Sequence, residues 1–288
     1  MANLRAIRNR IRSVNSTQKI TRAMKMVAAA RLRRSQEAVS QSKAYQEKVR
    51  SLLAKLLPFV EDSVDPLLKR PQGNKRYLVV LSSDRGLCGA FNASLFRKVE
   101  SALSQTEYET SLILIGKKAI SYFRNQKDKI HHIVEDYWTD FDHQKAKNLC
   151  QNLTQDFLDG KVDRIEILYN EFQSVMTQKP KSLTLLPLQK EESQGAENDL
   201  EQEIDYLFEP GKAQIIQLLL PKAVEGSFYQ ANLHSLASEY GARMTAMDAA
   251  TRNAGEMIDS LTLHMNRVRQ AAITNELVEI ISGAEAIQ

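Results

Sequence analysis

The chain has 288 residues, of which 43% are hydrophobic and 26% are charged, proportions typical of a folded globular protein. It contains no apolar run of about 18 residues, which argues against a membrane-spanning helix, and its start, MANLRAIRNR, lacks the apolar core of a secretory signal peptide. The net charge of +4 is unevenly spread: residues 1–57 hold fourteen Lys or Arg and two acids, whereas residues 212–288 hold six Lys or Arg and eight acids.

Residues 3–57 contain neither proline nor glycine and are followed by Pro58, a pattern that predicts one long helix. Its apolar stripe is expected to run, with some drift, through Leu4, Ile7, Ile11, Val14, Ile20, Met24, Val27, Tyr45, Val49, Leu52 and Leu56. The excess of positive charge on this helix predicts an acidic partner, which could be nucleic acid, anionic lipid or an acidic protein surface.

Between the long helices the pattern changes to short apolar runs, which are typical of buried strands. The predicted strands are residues 76–82, 111–115, 129–135, 162–170 and 181–188. The predicted helices among them are residues 90–103, 117–125 and 142–158. This alternation of strand and helix predicts βαβ units and a mainly parallel sheet.

Residues 212–282 predict a second long helix, in which apolar positions recur almost entirely in steps of four and three. The stripe comprises Tyr229, Leu233, Leu236, Tyr240, Met244, Met247, Thr251, Ala254, Ile258, Leu261, Met265, Val268 and Ala272. Two successive steps of four, through Tyr240, predict a coiled coil that straightens locally. Because a helix about 105 Å long cannot bury its own stripe, we expect the two long helices to pair in antiparallel fashion.

The predicted fold class is therefore α/β: a long antiparallel coiled coil of N- and C-terminal helices with an inserted Rossmann-like α/β domain. We expect residues 1–57 to form the N-terminal coiled-coil helix, residues 74–205 the globular domain and residues 210–288 the C-terminal coiled-coil helix. The two cysteines, Cys88 and Cys150, are far apart and outside any CxxC pattern, which predicts free thiols in a reduced compartment.

One segment, Asp84–Asn92 (DRGLCGAFN), follows the first predicted strand and opens a helix, where α/β proteins often hold a phosphate. It matches neither GxGxxG nor GxxxxGK[ST], so a tight turn that needs glycine is favoured over a nucleotide site. The five histidines show no metal-ligand spacing, and no Ser/His/Asp or Cys/His set is evident. We therefore expect no catalytic residue, no metal and no cofactor.

Four interpretations of the basic N-terminal helix can be compared. A balance of +12 over residues 1–57 exceeds what a solvated face needs, and a mitochondrial targeting peptide would be shorter and precede a separate mature start. Nucleic-acid binding would usually add interleaved aromatic residues, whereas only Tyr45 is present. An acidic protein partner is favoured, and a nucleic-acid-binding coiled coil and a nucleotide-binding enzyme are the alternatives.

Four segments resemble the γ-subunit family of F-type ATP synthases, and the similarity extends over the whole chain. They are Ser16–Ala28 (STQKITRAMKMVA), Ser82–Gly89 (SSDRGLCG), Ala242–Ala254 (ARMTAMDAATRNA) and Arg269–Glu276 (RQAAITNE). The resemblance implies a non-catalytic central-stalk rotor subunit of a proton-translocating ATP synthase. Such a subunit couples ion flow through the membrane c ring to ATP synthesis or hydrolysis by rotating within the α3β3 ring. The implied partners are the α, β and ε subunits and the c ring, with one copy per complex and no nucleic acid.

The same resemblance assigns roles to particular residues. Contacts with the catalytic β subunits are implied for Met24, Arg243, Arg269, Gln270, Thr274 and Glu276. The first two would lie near an acidic lever of β and the other four at its catch loops. The resemblance also implies a globular foot that contacts ε and the c ring. It assigns to this foot Tyr206, Phe208 and Glu209.

Two sequence features bear on the source of the protein. Plant chloroplast members of the resembled family carry a closely spaced pair of cysteines for redox control, and this chain has no such pair. Only about 15 residues precede Ser16, which is short for a mitochondrial leader. We therefore expect a bacterial subunit, peripheral on the cytoplasmic side of the inner membrane.

Overall fold

The computed structural model describes residues 2–56, 65–68, 73–105, 107–188 and 211–285. Two long helices, α1 (Ala2–Leu56) and α5 (Lys212–Glu285), flank the remaining elements in the sequence. In chain order these are β1 (Lys75–Leu81), α2 (Phe91–Leu103), β2 (Glu109–Ile115), α3 (Lys117–Phe123), β3 (Ile130–Val134), α4 (His143–Leu158), β4 (Arg164–Phe172) and β5 (Gln178–Leu186). The predicted α/β fold class and the predicted order of strands and helices are confirmed.

The chain divides into two compact units. Met1–Ala30 and Arg243–Gln288 form one, which we call the terminal unit, and Arg31–Ala242 form the other, which we call the α/β unit. Each long helix therefore contributes residues to both units. The three-part division predicted from the sequence stays a prediction, and its boundary at residues 205–210 lies outside the described residues. No helix in the described part of the chain is long and apolar enough to cross a membrane.

The five strands form a single sheet in the order β3-β2-β1-β4-β5. The pairs β1–β2, β1–β4 and β2–β3 are parallel, whereas β5 is antiparallel to β4. The carboxyl ends of β1 to β4 consequently meet at one edge, which we call the carboxyl edge. Since the strand order reverses between β1 and β4, this is the position at which a Rossmann-like domain would hold a ligand.

Both faces of the central strands are covered, which explains why β1 and β2 contain continuous apolar runs, whereas the outer strands β3 and β5 are more exposed. Leu78 and Val80 of β1 pack against α2 and α3 on one face. Val79 lies on the other face, in a larger core built from α4 and parts of both long helices. Leu53 of α1 and Phe228 of α5 belong to this core. The long helices thus supply part of one outer layer of the α/β unit.

The apolar stripe predicted for α1 is wrong in its middle section. Ile20 and Val27 are 58% and 55% exposed, whereas their neighbours Thr21 and Ala28 are buried. The less exposed positions instead include a regular heptad series at Ile7, Ile11, Val14, Gln18, Thr21, Lys25 and Ala28. The prediction failed because polar side chains occupy three successive positions of this series, so following apolar residues alone led away from it.

A similar displacement occurs near the end of α1, within the α/β unit. Val49 and Leu56 are buried as predicted, but Leu53 is buried in place of Leu52. Tyr45 is also largely exposed. The buried residues Val49, Leu53 and Leu56 follow steps of four and three, as expected for a helix packed along one side.

Two glycines with positive φ provide a test of how tightly the carboxyl edge is packed. Gly116 precedes α3 with φ of 93°, and a Cβ added there would overlap the carbonyl of Ser82. Gly160 has φ of 71°, but an added Cβ would meet no atom within 4 Å. The two positions share a left-handed backbone and differ in steric surroundings.

We expect Gly116→Ala to lower the free energy of unfolding by about 3 kcal/mol or more, because backbone strain and overpacking add. The matched control Gly160→Ala should lose only about 1 kcal/mol, the cost of the left-handed conformation alone. Urea denaturation followed by the fluorescence of Trp138 measures both, because this single tryptophan donates from Nε1 to the Ser82 carbonyl at 2.7 Å. Equal losses in the two variants would contradict the packing argument.

Candidate functional site

The loop between β1 and α2 lies at the carboxyl edge and uses its polar groups internally. The Ser83 hydroxyl donates to the carbonyl of Arg85 at 2.8 Å, and the Ser83 amide donates to Asn92 Oδ1 at 3.2 Å. The carboxylate of Asp84 accepts from the amide of Lys117 at 3.0 Å. The segment singled out as a possible phosphate loop therefore forms a hydrogen-bonded turn.

Helix α5 covers the carboxyl edge directly. Ser235 Oγ donates to the last carbonyl of β1 at 3.3 Å, and Ser238 Oγ donates to a carbonyl of β4 at 2.8 Å. Ala242 is buried with Cys88 and Phe91 of the loop region. The crevice between β1 and β4, at which the strand order reverses, is thus filled by a helix of the same chain.

In the terminal unit, α1 and α5 are joined by polar side chains. Lys25 Nζ lies 2.5 Å from Asp248 Oδ1, and the hydroxyls of Thr21 and Thr251 are hydrogen bonded at 2.8 Å. Gln18 Nε2 donates to the carbonyl of Thr251 at 3.4 Å. We call these five residues the polar seam. The Lys25 ammonium, which donates to Asp248, holds the pKa of that carboxyl below its ordinary value.

Apart from Thr251, which belonged to the predicted stripe of α5, sequence reasoning missed the polar seam. The signal that could have found it is spacing. Gln18, Thr21 and Lys25 continue the heptad of α1, and Asp248 lies three residues before Thr251. Residues of opposite charge at heptad positions of two helices predict an interhelical ion pair.

A second group of charges lies on one side of α1. Arg8, Arg12, Lys19 and Arg22 are exposed and follow one another at spacings of four, seven and three. Residues 2–30 contain no Asp or Glu. We call these four residues the basic face. Lys25 is not part of it, because its ammonium is engaged by Asp248.

Two of the residues predicted to contact β subunits are covered by the chain itself to different extents. Met24 of α1 is half-buried, and Arg243 of α5 is only 9% exposed. Most of the arginine surface is therefore covered by the chain itself. The predicted position of both residues near an acidic lever stays a prediction.

The four residues predicted to meet catch loops lie near the end of α5, and all are exposed. The hydroxyl of Thr274 donates to the backbone carbonyl of Gln270 at 3.0 Å, a bond within the helix. Arg269 and Glu276, seven residues apart, lie near one side of the helix. Their proposed contacts stay a prediction. The predicted foot residues Tyr206, Phe208 and Glu209 lie outside the described residues.

The same end of α5 exposes large apolar side chains. They are Ile273, Leu277, Val278, Ile280 and Ile281. In the described part of the terminal unit, the buried apolar residues are Ile7, Ala28, Met247 and Ala254. A contiguous exposed apolar surface of this kind marks a site of contact with another molecule.

Neither unit presents a metal centre within the described residues, where no group of three or more His, Cys, Asp or Glu could hold an ion. Both cysteines are buried thiols that form no disulfide. Burial raises the pKa of the Cys150 thiol to about 12. A thiol with so high a pKa is largely protonated near neutral pH and therefore a poor nucleophile.

Known proteins resemble this chain over its whole length. The family described as ATP synthase matches residues 3–287. The ATP synthase gamma chain of Geotalea uraniireducens (strain Rf4) is 43% identical over 291 aligned residues, covering 100% of both chains. The ATP synthase gamma chain of Heliobacterium modesticaldum is 40% identical over 290 residues, again covering 100% of both.

Solved structures show the same fold. A chain of the Euglena gracilis mitochondrial ATP synthase rotor in rotational state 1 aligns with a TM-score of 0.66 and 20% identity, over 94% of this chain and 99% of that one. A chain from the central stalk and c ring of the Tetrahymena thermophila mitochondrial ATP synthase aligns with a TM-score of 0.58 and 23% identity, over 80% and 99%.

The fold is shared with these two chains, and the end of α5 exposes large apolar side chains. On the full-length identity to its relatives, the chain belongs to the ATP synthase gamma chain family.

The closed loop at the carboxyl edge gives a test of nucleotide binding. We expect equilibrium dialysis of the purified chain to detect no saturable binding of ATP up to about 1 mM, the upper range of ordinary substrate affinities. The physical reason is that the amide of Ser83 and the carboxylate of Asp84 are already hydrogen bonded and that α5 fills the crevice. Saturable binding that is lost in Asp84→Ala would contradict this expectation and restore the loop as a nucleotide site.

Proposed function

We propose that this chain is the central-stalk rotor subunit of an F-type ATP synthase. In this role it couples ion flow through a membrane c ring to ATP synthesis or hydrolysis at the catalytic β subunits, and it performs no catalysis itself. The observation that carries the proposal is the exposed apolar end of α5, from Ile273 to Ile281. A ring of surrounding subunits would bury this surface, which the chain alone leaves in water.

The charges of α1 support the same assignment. The basic face presents four cations with no acid nearby in residues 2–30, so it suits an acidic protein surface. A nucleic-acid partner gains no support, because the sole aromatic residue of α1 is Tyr45. A nucleotide-binding enzyme gains none either, because α5 fills the crevice in which a nucleotide would lie.

Coupling of rotation to nucleotide binding follows from the difference in symmetry between the proposed shaft, which α1 and α5 form, and the surrounding ring of α and β subunits. One asymmetric helix pair inside a three-fold ring contacts three chemically identical β subunits in different ways. Each orientation favours a different β conformation and hence a different nucleotide affinity. Rotation then converts differences in contact free energy into an ordered sequence of binding and release.

The proposed partners are the α, β and ε subunits and the c ring, with one copy of this chain per complex. We place the complex at the cytoplasmic side of a bacterial inner membrane, with this chain peripheral to the membrane through the c ring. Met24 and Arg243 would lie near the acidic lever of β. Tyr206, Phe208 and Glu209 would belong to the foot that contacts ε and the c ring.

The catch residues provide the first functional test. We propose that Arg269, Gln270, Thr274 and Glu276 hydrogen-bond a β subunit in one orientation of the shaft and are hydrated in the others. Changing Arg269 and Gln270 together to Ala should slow ATP turnover per assembled complex about tenfold, the effect of losing about 1.4 kcal/mol of stabilisation. Subunit stoichiometry, measured on the same preparation, should be unchanged.

Arg267→Ala is the matched control for this pair. Arg267 is also exposed, and it lies two residues before Arg269, on the opposite side of α5. We expect it to retain nearly normal turnover. Normal turnover in the double variant, or an equal loss in the control, would reject the catch assignment.

The basic face provides the second functional test. Reversing Arg8, Arg12 and Arg22 to Glu should reduce the ions transported per ATP hydrolysed by about half or more, since exposed pairs contribute about 0.2–1 kcal/mol each. Proton pumping and hydrolysis measured in the same vesicles give this ratio. The triple reversal Arg97→Glu, Lys98→Glu and Arg124→Glu, on exposed residues of the α/β unit, is the control with equal charge change. Unchanged coupling in the first variant would count against an acidic partner.

A further inference from the structure

The polar seam links α1 and α5 through contacts that follow one antiparallel register. Thr21 is bonded to Thr251, and Lys25 to Asp248. As the α1 number increases by four, the α5 number falls by three, as expected for two helices that pack side by side in opposite directions. Gln18 extends the series, because it donates to the carbonyl of Thr251.

A glycine completes the arrangement at the Gln18 end. A Cβ added to Gly255 would lie 3.1 Å from Gln18 Nε2, closer than ordinary van der Waals contact. The absence of a side chain at Gly255 therefore makes room for the glutamine amide. Gly255 lies four residues after Thr251, so it extends the same series of positions on α5.

The apolar contacts of the terminal unit do little to select a register. Two of its four buried apolar residues within the described range, Ala28 and Ala254, are alanines. Alanine side chains bury little area, and an alanine-lined contact is nearly the same after a shift of seven residues. The polar seam discriminates more strongly, because a shift breaks its bonds between the helices. Thr21 and Thr251 would then keep only carbonyls of their own helices, and Asp248 would keep only Arg252.

The sequence shows which contacts between α1 and α5 such a shift would break. A displacement of α1 by one heptad in either direction would place Val14 or Ala28 opposite Thr251. The threonine hydroxyl would then lose its interhelical partner. Asp248 would lose Lys25, and Gly255 would face Ile11 or Lys25 in place of Gln18.

We propose that the polar seam, together with Gly255, sets the register of α1 against α5 in this chain. The role of the seam in a rotor rests on the function proposed above. In that rotor, these residues are positioning residues. They keep the basic face of α1 and the catch residues of α5 in a fixed relation, although they belong to neither group. A single register is needed for each orientation of the shaft to present one defined set of contacts.

The test is a charge-swap cycle in the full chain, with register read by disulfide cross-linking after Cys88 and Cys150 are changed to Ala. Moving one heptad from the rung of Thr21 and Thr251 places Val14 opposite Ile258 in the native register. The pair Val14→Cys with Ile258→Cys therefore reports the native register. The pair Val14→Cys with Met265→Cys reports a register shifted by seven residues.

Lys25→Asp should lower the ratio of native to shifted cross-linking about tenfold, as should Asp248→Lys, and the double swap should restore the ratio. Arg22→Asp changes charge equally on the exposed side of the same helix and should leave it unchanged. Circular dichroism detects any loss of helix in the single variants. The double variant Lys25→Gln with Asp248→Asn removes both charges while keeping side chains of similar shape, and it should also lower the ratio. An unchanged ratio in these variants, or a double swap no better than the single ones, would overturn the proposal.

The cross-linking readout separates this proposal from the proposed function. A rotor assignment that fails in turnover assays would leave the cross-linking result intact, because that result concerns the chain alone. A register that does not respond to the swaps would leave the rotor assignment intact.

Discussion

The burial of the apolar stripe of α5 is the constraint on which the rest of this structure depends. In the α/β unit the stripe is buried by a large core, in which Val224 and Phe228 are completely inaccessible to water. In the terminal unit it meets α1, and two of the four buried apolar residues there, within the described part of the chain, are the small Ala28 and Ala254. Because hydrophobic stabilisation scales with the area removed from water, the first part of α5 is held in place mainly by its buried apolar surface. The second depends on polar contacts to select one arrangement.

The same helix explains why a Rossmann-like domain serves here without a ligand crevice. The strand order places a switch point between β1 and β4, and in many such domains this is where a nucleotide binds. Here Ser235 and Ser238 of α5 bond the strand ends, and Ala242 packs on the loop. The domain therefore anchors a long helix with the edge that other proteins use for chemistry, which shows that function is not inherited from the fold.

The sequence predicted the strands and short helices well because they have strong local patterns: β1, for example, is buried on both faces, and five of its seven residues are apolar. The seam of α1 could not be predicted in this way, because Gln18, Thr21 and Lys25 occupy heptad positions that the apolar pattern skips. Its polar contacts exist only when a second helix supplies the partner. The catch and foot residues came from resemblance, and their contacts involve other chains, so a single chain leaves them as proposals.

Polar groups in this chain have two distinct tasks, and their surroundings separate them. The Lys25–Asp248 pair lowers the pKa of Asp248, so its stabilisation is present above the unfolded pKa of an aspartate and is lost as pH falls through the lowered value. The two side chains lie against each other between α1 and α5 and are 42% and 34% exposed. The basic face and the catch residues are more exposed, so ions and water would screen their proposed contacts with partners more strongly. In the proposed rotor, the internal contacts can therefore hold one register while the proposed external contacts exchange from one orientation to the next.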